Sequence, residues 1–198
     1  SKIVGGMAAP QFNLLWTDVG LWTMNYIGFP DAFGFNPVGF GCGLIGKHGF
    51  ARLGANIYWM SDANFFVLGG GAPQTIPCSI WDVVFQDLNE TYQHKSWAWA
   101  NTPFNEVWFF FPRASTSATE PDFYAKYNVM ENTWDYGPMD RTCGINQSIL
   151  GMPISATSAG IIYEHEVSQN ADGQPINAYF QTGLYALSEG QDIFFIAW

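Results

Sequence analysis

A twelve-residue pattern occurs twice, and it constrains the fold more than any other feature of the chain. The copy Asn13-Leu14-Leu15-Trp16-Thr17-Asp18-Val19-Gly20-Leu21-Trp22-Thr23-Met24 returns as Asn56-Ile57-Tyr58-Trp59-Met60-Ser61-Asp62-Ala63-Asn64-Phe65-Phe66-Val67, offset by 43 residues. Asn and Trp hold the same places, a polar or small-residue turn falls in the middle, and an aromatic (Trp22, Phe65) restarts the second half. Large apolar side chains alternating on both sides of a turn suit pleated strands with a buried face, whereas a helix would scatter Trp59, Phe65 and Val67 around its axis. Both copies predict β-hairpins.

The opening of the pattern recurs at Asn105-Glu106-Val107-Trp108-Phe109-Phe110 and, more weakly, at Gly160-Ile161-Ile162-Tyr163-Glu164-His165. The aromatic anchors Trp16, Trp59, Trp108 and Tyr163 then stand 43, 49 and 55 residues apart. Repeats of roughly 40 to 50 residues, each holding several strands, have the length of β-propeller blades and exceed ankyrin or leucine-rich units. The expectation is an all-β chain: a propeller-like array of about four blades of antiparallel strands, with units near residues 10–45, 46–100, 101–145 and 146–198 in one domain. Each anchor is expected to fill the gap between neighbouring sheets, where a large aromatic buries most surface. A binding role for them is the alternative.

Composition fits a chain that packs extensively. Hydrophobic residues make up 48% and aromatics 18%, against 12% charged, which excludes a disordered tail. Seven basic against 17 acidic residues give a formal charge of −10, so tight neutralisation of nucleic-acid phosphates is excluded. The same sign suits a surface past which DNA must slide without being held. Cys42, Cys78 and Cys143 are widely spaced and odd in number, giving neither a disulfide framework nor a metal knuckle. No apolar run approaches membrane-spanning length and the start lacks signal-peptide architecture, so a soluble protein assembled in a reducing compartment is expected.

One helix is expected near residues 79–88. Ile80, Val83, Val84 and Leu88 recur at helical spacing, Ser79 is placed to cap the first turn and Asp82 lies near its positive end. Its apolar stripe suits a plug on the sheet edges. Residues 112–121 read as a long exposed hairpin tip before a partner strand at 123–129, and residues 89–101 as a connection or an edge strand of the third blade. Asn170-Ala171-Asp172-Gly173 is a hairpin turn with its return strand at 178–182. Residue 1 is not Met and the strand at 191–198 stops without a closing turn, so the chain is expected to be a fragment of a larger propeller.

The search for chemistry yields no catalytic, metal or cofactor residue. Gly41, Gly43, Gly46 and Lys47 resemble a phosphate cradle only superficially, because no Ser or Thr follows Lys47 and no strand-loop-helix context surrounds it. An inter-blade loop is expected there. Gly-x-Ser-x-Gly is absent, and the densest titratable run, Glu164-His165-Glu166, would point its imidazole opposite to both carboxylates on a strand, as a solvated edge. Asn170 and Asp172 lack the further oxygen ligands of a calcium loop.

The runs Leu14-Leu15-Trp16-Thr17-Asp18, Gly43-Leu44-Ile45-Gly46, Tyr58-Trp59-Met60-Ser61, Phe104-Asn105-Glu106-Val107-Trp108-Phe109-Phe110-Phe111-Pro112 and Tyr127-Asn128-Val129-Met130-Glu131-Asn132-Thr133-Trp134 resemble those of the tail nozzle proteins of short-tailed bacteriophages, also called tail tubular protein B or packaged-DNA stabilisation protein. The likeness covers most of the chain, and its motifs are structural. It implies a virion protein without enzymatic activity, assembled in the bacterial host cytoplasm as a β-propeller subunit of a homohexameric ring below the portal and adaptor. Tail fibre or needle proteins would be neighbours, and double-stranded DNA would pass through without sequence-specific binding. The chain is shorter than a complete nozzle subunit, so no DNA-facing residue is assigned. A receptor- or glycan-binding tail component, in which exposed Trp or Tyr stack on sugar rings, and a cellular propeller acting as an interaction scaffold are the alternatives.

Overall fold

Strand formation follows the alternation read from the sequence. In the computed structural model, sheet I is an antiparallel meander of β1 (Ile3–Ala8), β2 (Asn13–Thr17), β3 (Gly20–Gly28) and β4 (Ala32–Phe40). Sheet II repeats the order with β5 (Phe50–Leu53), β6 (Asn56–Met60), β7 (Phe65–Leu68) and β8 (Gln74–Ile76). Both expected hairpins are present, Trp16 pairing with Leu21 across β2–β3 and Trp59 with Phe66 across β6–β7. Sheet III comprises β9 (Trp97–Asn101), β10 (Glu106–Phe111), β11 (Phe123–Asn128) and β12 (Thr133–Pro138), again in meander order. Sheet IV has three strands, β13 (Cys143–Ile145), β14 (Ile154–Ala156) and β15 (Ile162–Glu164). The fold is all-β, built from successive antiparallel sheets.

The structure describes residues 1–8, 12–146, 151–171, 173–176, 185–186 and 193–194. The chain divides into two units, Ser1–His165 and Glu166–Trp198. The second contains two short hairpins, β16 (Asn170–Ala171) with β17 (Gln174–Pro175), and β18 (Tyr185–Ala186) with β19 (Ile193–Phe194). The return strand expected at 178–182, and all of 191–198 except Ile193 and Phe194, lie outside the described residues.

Within the first unit, neighbouring sheets meet face to face through aromatic layers. Leu14, Trp16, Leu21, Ile57, Trp59 and Phe66 form the layer between sheets I and II. Tyr58, Met60 and Phe65 look the other way, onto Val107, Phe109 and Phe111 of sheet III. Phe65 is central there, its ring 4.6 Å from those of Phe109 and Trp134. Because sheet III is covered on both sides, β10 is a continuous apolar run, as a strand with two buried faces requires. In β11, by contrast, buried Phe123, Ala125 and Tyr127 alternate with half-buried Tyr124, Lys126 and Asn128.

Sheet boundaries differ in part from the sequence units. Sheet I begins at Ile3, ahead of residue 10, and β9 pairs with β10, so sheet III opens at Trp97. The helix is shorter than expected: α1 (Trp81–Phe85) is a single turn with Ile80 at its N-cap and no side-chain cap from Ser79. Long-range bonds capture residues 87–89 just beyond it. Asp87 accepts from the backbone N–H and hydroxyl of Ser115 at 2.7 and 2.6 Å, and the Asn89 N–H donates to the Pro112 carbonyl at 2.9 Å. Val84 and Leu88 still reach the layer between sheets II and III, and Ile80 and Val83 pack against it, as expected of a plug. The connection at 112–121 is exposed at residues 114–117 but pinned at its base by Arg113, whose guanidinium binds Asp122 at 2.9 and 3.1 Å.

Candidate functional site

The four anchors do not form one equivalent set. Trp16, Trp59 and Trp108 all lie on the second strand of their sheets and all are buried. Trp16 and Trp59, however, face each other across the same layer, ring centroids 5.8 Å apart, edge to face. Trp108 faces away from sheet II, beside Trp99 and Tyr124. The repeat is therefore one of strands and not of faces. A one-residue change of phase turns a side chain through the sheet, and sheets covered on both sides accept an aromatic on either face. The residues of β6 that look towards the next sheet, as Trp16 does, are Tyr58 and Met60.

Tyr163 departs further, standing on the third strand of its sheet. The second-strand place belongs to Ser155, which pairs with Gly144 and Tyr163. A large side chain has no room there because Trp97 and Trp99 of β9 already fill the gap: a Cβ on Gly144 would lie 2.9 Å from the Trp99 ring.

Ser155 and His165 form a polar group with Arg141. The Ser155 Oγ lies 2.5 Å from His165 Nε2, and the Arg141 Nε–H donates to the same nitrogen at 3.2 Å. Nε2 is thus the acceptor in the neutral imidazole. The ring meets Trp99 edge to face at 5.2 Å, the Arg141 guanidinium stacks over Tyr163 at 4.5 Å, and the Trp97 indole N–H donates to the Arg141 carbonyl at 2.8 Å. Burial, reinforced by the neighbouring Arg141 charge, pushes the imidazole down to about 4. The expected solvated edge is corrected on this point: Glu164 and Glu166 are exposed, but His165 is drawn against β9.

A serine beside a neutral imidazole has two parts of a hydrolytic triad, yet this pair is built as a fastening. The serine is 3% exposed, leaving a substrate carbonyl no approach to its hydroxyl. The nitrogen that would take its proton already accepts from a guanidinium that opposes protonation. Arg141 and Ser155 carried no sequence signal, since the three residues come together from separated stretches of chain.

The glycine-rich segment is an inter-sheet seam. The Leu44 N–H donates to the Thr17 carbonyl and the Ile45 N–H to that of Met60, so these amides are not available to an anion. A Cβ on Gly43 would lie 2.1 Å from the Asp18 carbonyl oxygen, and one on Gly46 would lie 2.5 Å from that of His94. Glycine serves close backbone approach here. Lys47 lines a mixed-charge cleft of about 430 Å³ with Lys2, Asp18, Asp62 and His94. An apolar cleft of about 450 Å³ lies between sheets I and II, lined by Leu14, Ile57 and Leu68 together with Arg52.

Among the described residues no group of three His, Cys, Asp or Glu side chains could hold a metal ion. All three cysteines are free; Cys42 is buried, Cys143 exposed, and burial pushes the Cys78 thiol up to about 11. Lys126 sits between Glu106 and Asp135 at 3.2 Å from each, and lies over the Trp108 ring at 5.1 Å. Burial opposes its charge, but the two carboxylates outweigh it and raise the amine above its ordinary value. These polar groups all link strands or sheets.

No protein-family model matches the sequence, and none of the curated proteins matches it. Among solved structures the chain is similar to PorZ of Porphyromonas gingivalis, described as an essential bacterial surface component of the type-IX secretion system. The identity is 11%, the TM-score 0.44, and the match covers 88% of this chain and 22% of that one.

Proposed function

We propose that this chain is an architectural, non-enzymatic part of a bacteriophage tail, a segment of the nozzle ring that retains packaged DNA and forms part of the conduit for its ejection. The observation that carries the architectural reading is the use made of the aromatic side chains. Trp16, Trp59, Phe65, Phe109, Phe110 and Phe111 are fully buried between sheets, where they stiffen a stack instead of lining a ligand site. The tail assignment is favoured by the nozzle-like runs around Trp16, Trp59, Trp108 and Trp134, and by a formal charge of −10, which suits a wall past which DNA must move.

Electron microscopy of the virions that carry this polypeptide tests the reading. Density for the sheet stack, repeated six times in a ring between the adaptor and the distal tail, supports it. Absence of the stack from the tail, or recovery of the chain as a free protein that cleaves or binds a glycan, overturns it.

A further inference from the structure

The strands β3 and β4 outrun the rest of sheet I. The pairing of β2 with β3 ends at Asn13 and Met24, while β3 and β4 stay paired as far as Gly28 and Ala32. A two-stranded arm of about four residues per strand, roughly 13 Å long, therefore stands clear of β1 and β2. Its end is apolar on both sides. Tyr26 and Phe33 meet edge to face at 5.9 Å, Ile27 lies over Gly34, and Phe29 heads the turn. Phe29 is 98% exposed, Tyr26 76% and Ile27 59%. An isolated ribbon has no second layer on which to bury such side chains, and a contiguous exposed apolar patch marks a contact site.

The same chain carries a receptor of matching chemistry. The 450 Å³ cleft between sheets I and II is walled by Met7, Leu14, Ile57 and Leu68, and among the described residues the charged side chain lining it is Arg52. Arg52 is exposed; its Nε–H donates to the Gly54 carbonyl at 3.0 Å, and it joins no ion pair among the described residues. The arm supplies the opposite charge, Asp31, exposed and two residues beyond Phe29.

We propose that the arm of one copy seats in the cleft of a second copy, Phe29 entering beside Phe12 and Met7, lining residues that are not buried, and Asp31 pairing with Arg52. Arm and cleft are different surfaces, so the contact is heterologous and adds copies head to tail, closing a ring if the rotation permits. The inference rests on the arm and the cleft alone, whatever particle the protein belongs to.

Sedimentation velocity of the full chain over a concentration series tests it. The chain is expected to self-associate, and Phe29→Ser is expected to weaken association at least about tenfold, the loss of one anchoring side chain. Asp31→Arg and Arg52→Asp should each weaken it, and the variant carrying both should recover it. Phe29 and Arg52 are exposed, so unchanged far-ultraviolet circular dichroism is expected of every variant. In a Cys143→Ser background, a chain bearing Phe29→Cys mixed with one bearing Ala55→Cys should give a disulfide-linked heterodimer. A chain that stays monomeric, association indifferent to Phe29→Ser, or a double charge reversal that rescues nothing overturns the proposal.

Discussion

Trp16 and Trp59 offer a controlled comparison, because they share one layer and differ in one bond. Both are fully buried; Trp16 stacks on Phe50 at 4.9 Å and Trp59 on Phe66 at 5.5 Å. The Trp59 indole N–H donates to the Cys42 carbonyl at 3.0 Å, whereas the Trp16 Nε1 is buried without a partner among the described residues. Replacing either by Phe keeps the stacking ring and removes similar volume, so the packing losses nearly cancel between the two variants. Trp59→Phe also strands the carbonyl of Cys42, itself buried, at about 1–3 kcal/mol for an unsatisfied buried group. Trp16→Phe removes a donor that was already unsatisfied. Trp59→Phe is therefore expected to be the more destabilising by about 1–3 kcal/mol. In urea, with a slope near 2 kcal/mol per molar, the midpoints should stand about 0.5–1.5 M apart at equal slopes. Equal midpoints, or a lower one for Trp16→Phe, would refute the argument that the Cys42 bond, and not ring volume, distinguishes the two positions.

Two further outcomes are expected of the seams between sheets. His165 has a folded-state value of about 4, below the 6.5 expected when unfolded, so the unfolded chain binds the extra proton and stability falls as the pH drops from 6.5 towards 4. The full shift corresponds to about 3 kcal/mol, and partial solvent access reduces the expectation to about 1–2 kcal/mol. Urea midpoints at several pH values should show this slope in the native chain and a flatter one in His165→Gln; parallel slopes would remove the imidazole from the account. Gly43→Ala must force apart two backbone segments, one of them 2.1 Å from the new Cβ, and should cost about 3 kcal/mol or more, whereas Gly71→Ala meets nothing within 4 Å and should change stability by less than about 0.5 kcal/mol. Thermal melts that rank the two equally would contradict the seam.

What the sequence determined by itself is local. The repeated hairpin pattern around Trp16 and Trp59, and the short turn-bounded apolar run at 107–111 around Trp108, sufficed for the hairpins and for the all-β class, because runs of that length rich in aromatic residues suit strands whatever they pack against. The direction in which each anchor points was not encoded there: with both faces of sheets II and III covered, the apolar pattern has no blank side to set the phase. Tertiary structure alone decided that Trp16 and Trp59 share a layer while Trp108 serves another. It also cut the helix to Trp81–Phe85, since the bonds from Asp87 and Asn89 to the 112–118 connection outcompete further helical turns whose carbonyl partners lie close in sequence. The Ser155, Arg141 and His165 group is legible only in three dimensions. Its members lie 10 to 24 residues apart, and the gap they occupy is set by Trp97 and Trp99 from a different sheet.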